Sequence, residues 1–312
     1  LYLKMLIEYF GEAVEQEEIM TDELPKGYMR LQYQMDAVVD GFKTLKDHNG
    51  VILADVVGLG KTIIAAQIIK RYIRYNGFNT RVLVIHSPAL EQNWRSTLKD
   101  FNLTTFVQFI TNGSLHKVID PDNSKYLNPA DFDLIVVDES HGFRTDTSDR
   151  YALLQLITKT PRNQTGGDED LRKKVILMSA TPLNNRPDDI ANQLYLFQDA
   201  RSSSIPNAPN LQTFFAPLIN RYKEIKKIQD HKKLVDEVKA IYRPIRDKIM
   251  NHLVIRRTRS DIEKIPAYRD DMEKQNLKFP EISGPNNIHY LFNETLTYLF
   301  NDSANYLING SQ

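Results

Sequence analysis

Cysteine is absent from the chain, which excludes disulfide frameworks, thiolate nucleophiles and cysteine-held zinc or iron–sulfur centres. No apolar run approaches the roughly 20 residues that a membrane helix needs, and the N-terminus lacks the layout of a signal peptide. A reducing, cytoplasmic setting with no membrane partner is expected. Tryptophan occurs only once. Charge of one sign is not in excess either, since 40 basic and 40 acidic side chains cancel. That balance hides an asymmetry. Residues 1–24 carry seven acidic side chains and one basic one, Lys4, whereas residues 221–259 carry thirteen basic and five acidic ones. A local basic surface is enough to meet a phosphate backbone, so partners have to be judged segment by segment. What remains is ordinary: 312 residues with 41% hydrophobic and 26% charged side chains, a globular composition long enough for about two domains, or one with an appendage.

Leu1 to Phe10 reads as a helix that is apolar on most faces, and an acidic connector follows it. From Tyr28 short apolar runs alternate with amphipathic stretches. Strands are expected at 51–54, 82–85, 106–110, 134–137 and 174–178, and helices at 62–75, 90–101, 151–159 and 188–197. Buried strands spaced by helices of this length imply βαβ units and a mostly parallel sheet covered on both faces. The polar stretch 161–168 is expected on the surface. After about residue 200 the strands are expected to stop, with charged helix over 211–252, a stretch rich in charge, Pro and Asn over 266–289, and a renewed alternating pattern from Ile288.

Three strand ends carry chemistry. Val51 to Ala54 leads into Asp55-Val56-Val57-Gly58-Leu59-Gly60-Lys61-Thr62, a strand, a turn and a helix start. Such a turn aims backbone N–H groups at a phosphate, and the helix adds its positive end. Gly58 and Gly60 allow close approach, Lys61 would reach the β- and γ-phosphates, and the Thr62 hydroxyl would bind Mg²⁺. The strict G-x-x-x-x-G-K-[ST] spacing fails because Asp55 stands at its first glycine. Leu134 to Val137 ends in Asp138-Glu139-Ser140-His141. Asp138 suits a Mg²⁺-holding acid, and Glu139 a general base toward water. Alone, an Asp-Glu pair reads equally well as a solvated turn. His141, three residues on, suits a link to the next element. Val175 to Met178 ends in Ser179-Ala180-Thr181-Pro182, where Ser179 and Thr181 could hydrogen-bond the acidic cluster.

Taken in order, the set resembles the first RecA-like lobe of superfamily-two helicases, most closely the Swi/Snf-type ATPases and their bacterial relatives. Tyr33-Gln34 is similar to that family's glutamine motif, whose amide reads adenine. Asp55 to Thr62 is similar to its phosphate loop, with Val56 in place of the usual Glu. Ser87-Pro88 through Asn93-Trp94 resembles the segment that touches a nucleic-acid strand. Asp138 to His141 forms a D-E-S-H box, and Ser179 to Asn185 the coupling motif. Arg256-Arg257-Thr258 resembles the Arg-Arg-Thr signature near the crossing into a second lobe, with Arg256 and Arg257 as nucleic-acid candidates. The resemblance implies ATP and Mg²⁺ as ligands and double-stranded DNA as the track. RNA is the alternative, as for an RNA helicase.

The implied organisation is an N-terminal helix and acidic linker over 1–24, the trailing edge of an upstream nuclease-like domain. A RecA-like ATP-binding lobe follows over 25–202, then a basic helical protrusion over 203–255, and a linker with the start of a second lobe over 256–312. About 50 residues follow Thr258, against roughly 150 for a whole second lobe. The chain is therefore expected to be a truncated first lobe that hydrolyses ATP poorly alone. A nucleotide-dependent switch or scaffold, and a small-molecule kinase, stand as readings of a different kind; the acidic box argues against the kinase.

Overall fold

Val, Ile and Leu fill the strands almost without interruption, and nearly every such residue is withdrawn from water. A computed structural model describes residues 24–123, 126–146, 148–163, 167–180, 186–279, 291 and 293–309, without the side chains of 226 and 303–309. Strands β1 (Gly50–Leu53), β2 (Val82–His86), β3 (Val107–Thr111), β4 (Leu134–Val137), β5 (Lys174–Met178) and β6 (Val254–Ile255) form one sheet in the order β3-β2-β4-β5-β1-β6. Every pairing is parallel. The four inner strands are buried along their whole length, as expected of a parallel sheet covered on both faces.

Helices α1 (Gln32–His48), α2 (Lys61–Asn76) and α3 (Glu91–Asp100) cover one face. Val38, Phe42 and Leu45 of α1 meet Ile64, Ile68 and Tyr72 of α2, with Trp94 and Leu98 of α3 in the same cluster. Helices α4 (Asp149–Lys159), α5 (Pro187–Tyr195), α6 (Leu211–Glu224) and α7 (His231–Ile245) cover the other. There Leu154, Ile157, Leu194, Phe215, Ile241 and Ile245 join one core. The helices expected as a protrusion are thus α6 and α7, and their inner sides are rooted in that core. Side-chain caps set several starts: Ser148 accepts from Tyr151 N, Asn210 from Thr213 N and Asp230 from Lys233 N, each satisfying one otherwise unpartnered helix donor.

Some expectations need correction. Strands do not stop at residue 200, because Val254–Ile255 pairs with Ile52 and Leu53; two residues are too short to leave an alternating signature. Helices α8 (Arg259–Lys264) and α9 (Pro266–Lys274) follow, started by a Thr258–Asp261 capping box and by proline at the first position of α9. Residues 256–276 belong to the first compact unit, which ends at Asn276. In the second unit Glu294–Asn309 is helix α10, with Tyr298, Leu299 and Phe300 exposed. Finally, the polar stretch 161–168 is not all surface. Arg162 is buried, paired to Asp133 at 3.1 Å, and donates through Nη2 to the Asp168 carbonyl at 2.7 Å. Sequence polarity gave the opposite impression because this ion-paired plug closes the amino end of the sheet. Leu1 to Phe10 lies outside the described residues, as do 181–185 with Thr181.

Candidate nucleotide-binding site

All six strands run the same way, so the loops after β1, β4 and β5 leave one edge of the sheet. Leu53 is in register with Met178, and Leu177 with Val137. Asp138 therefore stands level with the end of β1, but β5 lies between. The phosphate loop and the acidic box are not on neighbouring strands; two strand spacings, about 10 Å, separate their backbones. Open parallel sheets bind ligands at this carboxyl edge.

The turn after β1 needs its glycines. Gly58 and Gly60 have φ of +92° and +82°, a region that other residues enter at a cost. Gly60 has a second reason: a Cβ there would lie 2.5 Å from Gln34 Nε2, whereas one at Gly58 would meet open space. The Gln34 amide donates to the Leu59 carbonyl at 3.2 Å and so braces the loop from α1. Tyr33 Oη donates to the same carbonyl at 3.4 Å, and burial raises the Tyr33 pKa. Lys61 Nζ donates to the Asp55 carbonyl at 2.7 Å, which holds the ammonium over the loop.

At the tip of β4 the buried Asp138 accepts from two donors: Oδ1 from the Glu139 backbone N–H at 2.9 Å and Oδ2 from Trp94 Nε1 at 2.8 Å. Glu139 sits at φ +52°, uncommon for a residue with a side chain and costly enough that its surroundings must hold it. That turn swings its carboxylate outward, where Oε2 lies 3.0 Å from His141 Nδ1. Both side chains are exposed. Ser140 is buried, and its carbonyl accepts from Gln193 Nε2 at 3.1 Å. At the end of β5, buried Ser179 donates its backbone N–H to the Leu53 carbonyl at 3.1 Å.

The residues fit a magnesium nucleotide. The loop offers two positive-φ glycines, one with open space beyond it; the donor set is a hydroxyl at Thr62 and a carboxylate at Asp138 whose oxygens each keep a second lone pair. Thr62 heads α2, and Asn93 Nδ2 of α3 lies 3.5 Å from its hydroxyl.

The nucleic-acid candidates separate. Pro88 and Asn93 are exposed beside half-buried Ser87 at the end of β2, while Arg256 is exposed after β6, four strand spacings or about 20 Å across the sheet. Trp94, read as the end of the strand-touching segment, is fully buried under α3. Arg257 does not share the exposure of Arg256. Its backbone N–H donates to Asp55 Oδ1 at 2.6 Å, its carbonyl accepts from Val56 N at 3.1 Å, and its guanidinium lies 3.5 Å from Asp40. Burial raises the Asp55 pKa, opposed by the Arg257 charge beside it. This clamp was invisible in sequence because its two halves lie 202 residues apart.

Comparison with known proteins agrees with this geometry. Residues 28–184 match the family described as type III restriction enzyme, res subunit. An uncharacterized ATP-dependent helicase, YqhH of Bacillus subtilis, is 25% identical over 173 residues, covering 52% of this chain and 28% of that protein. The chromodomain-helicase-DNA-binding protein 1-like of Danio rerio is 25% identical over 255 residues, 74% of this chain and 22% of its own. The chain thus spans about a quarter of the length of these relatives. Two structures of the Sulfolobus solfataricus SWI2/SNF2 ATPase core, one in complex with dsDNA, superpose with TM-scores of 0.52 and 0.53. Sequence identities are 18% and 17%, with coverage of 80% and 81% of this chain and 48% and 47% of theirs. Among the described residues no helix is long and apolar enough to cross a membrane. With an all-parallel RecA-like sheet, a glycine-shaped loop and an acidic box at one edge, the chain has the fold of those ATPase cores and belongs to the type III restriction enzyme res-subunit family.

Proposed function

We propose that this lobe binds magnesium ATP and is the first half of a DNA-dependent ATPase that moves along double-stranded DNA, hydrolysing ATP to ADP and phosphate. The observation that carries the reading is the convergence of Lys61, Thr62, Asp138 and Glu139 on one edge of the sheet. ATP is the substrate; Lys61 leaves the Asp55 carbonyl for the β- and γ-phosphate oxygens, and the loop N–H groups take the remaining charge. Thr62 and Asp138 would hold Mg²⁺, which when bound neutralises charge on the phosphates. Glu139, turned outward by its left-handed backbone, accepts a proton from the attacking water, and His141 orients that carboxylate. Gln34, already braced against the loop, reads the adenine edge. Ser179 and Thr181 couple the loop to the acidic box.

In the whole protein a second RecA-like lobe supplies arginines to the transferring phosphoryl group, so this lobe alone turns over slowly. Ser87, Pro88, Asn93 and Arg256 meet phosphates, which gives sequence-tolerant, salt-sensitive binding. An upstream nuclease-like domain would precede residue 24. Duplex DNA is preferred over RNA because the relatives include a DNA-binding helicase and a core solved with dsDNA.

The test is ATP turnover by protein carrying both lobes, with duplex DNA, RNA or neither. Stimulation by duplex DNA is expected, and stimulation by RNA alone makes the track RNA. In the 312-residue chain, Lys61→Ala should weaken ATP binding about tenfold or more, since it removes a charged partner of the phosphates. Equal binding by the two chains removes the site.

A further inference from the structure

Trp94 is the only tryptophan of the chain and is fully buried. Its ring fills the space between α3 and the sheet, a task that another large apolar side chain could perform. What only an indole supplies there is the N–H aimed at Asp138 Oδ2, at 2.8 Å. A buried indole N–H needs an acceptor, and here the acceptor is the carboxylate at the tip of β4. Because Oδ1 is held by the Glu139 N–H at 2.9 Å, both oxygens are fixed from different elements. The carboxylate cannot rotate without losing one of them. The preceding residue of the same helix, Asn93, lies 3.5 Å from the Thr62 hydroxyl. Two consecutive residues of α3 therefore approach the two side chains assigned to the metal.

We infer that Trp94 is a positioning residue: it holds the Asp138 carboxylate in its metal-binding orientation, and its indole senses whether magnesium nucleotide is present. This rests on the nucleotide reading given above. Metal affinity commonly falls ten- to a hundredfold when a hydrogen bond that orients a ligand is removed. A carboxylate that merely satisfies a buried ring would show no such metal dependence.

Since there is one tryptophan, biosynthetic replacement by β-(3-benzothienyl)alanine exchanges N–H for sulfur at this position alone and keeps the ring's shape. Affinity of the 312-residue chain for a fluorescent ATP analogue is then measured in Mg²⁺ and in EDTA. The substituted chain should bind about tenfold more weakly in Mg²⁺ and as well as the unsubstituted chain in EDTA. Equal weakening in both buffers, which a purely structural role produces, overturns the inference, as does no change in either. In the unsubstituted chain saturated with analogue, added Mg²⁺ should shift the Trp94 emission, and Asp138→Asn should abolish that shift. Emission indifferent to Mg²⁺ also overturns it. A chain that binds no analogue even in Mg²⁺ defeats the nucleotide reading itself, and the inference falls with it.

Discussion

Asp55 Oδ1 accepts the backbone N–H of Arg257 at 2.6 Å. The bond ties the first residue of the phosphate loop to the segment leaving β6, and Val56 N returns the contact to the Arg257 carbonyl at 3.1 Å. Arg257 in turn reaches Asp40 on α1 at 3.5 Å. Loop, edge strand and α1 are thus one hydrogen-bonded unit. Any ligand that moves the loop acts on the chain just beyond Arg257.

Asp55→Ala strips the acceptor from that half-buried amide. The expected loss is about 1–3 kcal/mol, read as a lower urea midpoint at unchanged slope, together with weaker nucleotide binding. Asp55→Asn keeps one acceptor oxygen and should lose less of both. Equal stability of all three chains would show that the clamp does not hold the loop.

The two loop glycines should respond differently to alanine. Both pay for a left-handed backbone, about 1–2 kcal/mol. Gly60→Ala also drives its Cβ to within 2.5 Å of the Gln34 amide, so it should displace Gln34 and reduce nucleotide affinity further. Thermal unfolding and binding titrations of the pair give the comparison. Identical behaviour would mean that Gln34 does not brace the turn.

Glu139→Gln keeps the size and position of the side chain but cannot take a proton. In protein carrying both lobes, turnover should fall by about 10²–10⁴ with nucleotide affinity unchanged, as single-turnover assays and binding titrations can establish. Turnover indifferent to this change would favour a nucleotide-dependent switch over a motor.

Lys173 offers a pH signature. It is buried at 2% exposure and donates to the Thr160 carbonyl, and burial lowers its pKa from 10.5 to about 8. Between those values the unfolded chain binds the proton and the folded chain releases it, so its contribution to stability rises with pH across that window. The slope is at most about 1.4 kcal/mol per pH unit. Lys173→Met should flatten that part of a stability curve measured from pH 7 to 10. An unchanged slope would mean that the ammonium is solvated.

The sheet was legible because buried parallel strands are written as unbroken Val, Ile and Leu runs; Leu134–Val137 and Lys174–Met178 have the bounds read from sequence. Motif residues at strand ends were legible for the same reason, since the end of a run fixes where a loop begins. Pairings between distant polar residues were not. Nothing near Arg162 announces that Asp133 will neutralise it, and a pattern cannot distinguish a solvated arginine from a buried pair. Trp94 was read as part of a surface segment, although α3 turns Asn93 outward and Trp94 inward, as neighbours on a helix are turned. Val254–Ile255 was missed because two residues carry no period, yet that pairing delivers Arg257 to the loop.

Strand β1 is synthesised well before its two neighbours, residues 174–178 and 254–255. On the ribosome, where domains fold as they emerge, this strand must wait for most of the lobe before either side is occupied. Distant pairings of this kind form slowly. A nascent chain arrested before Arg257 clears the exit tunnel would carry every residue of the loop with nothing to fasten it, so competence for triphosphate should arrive late and abruptly in translation.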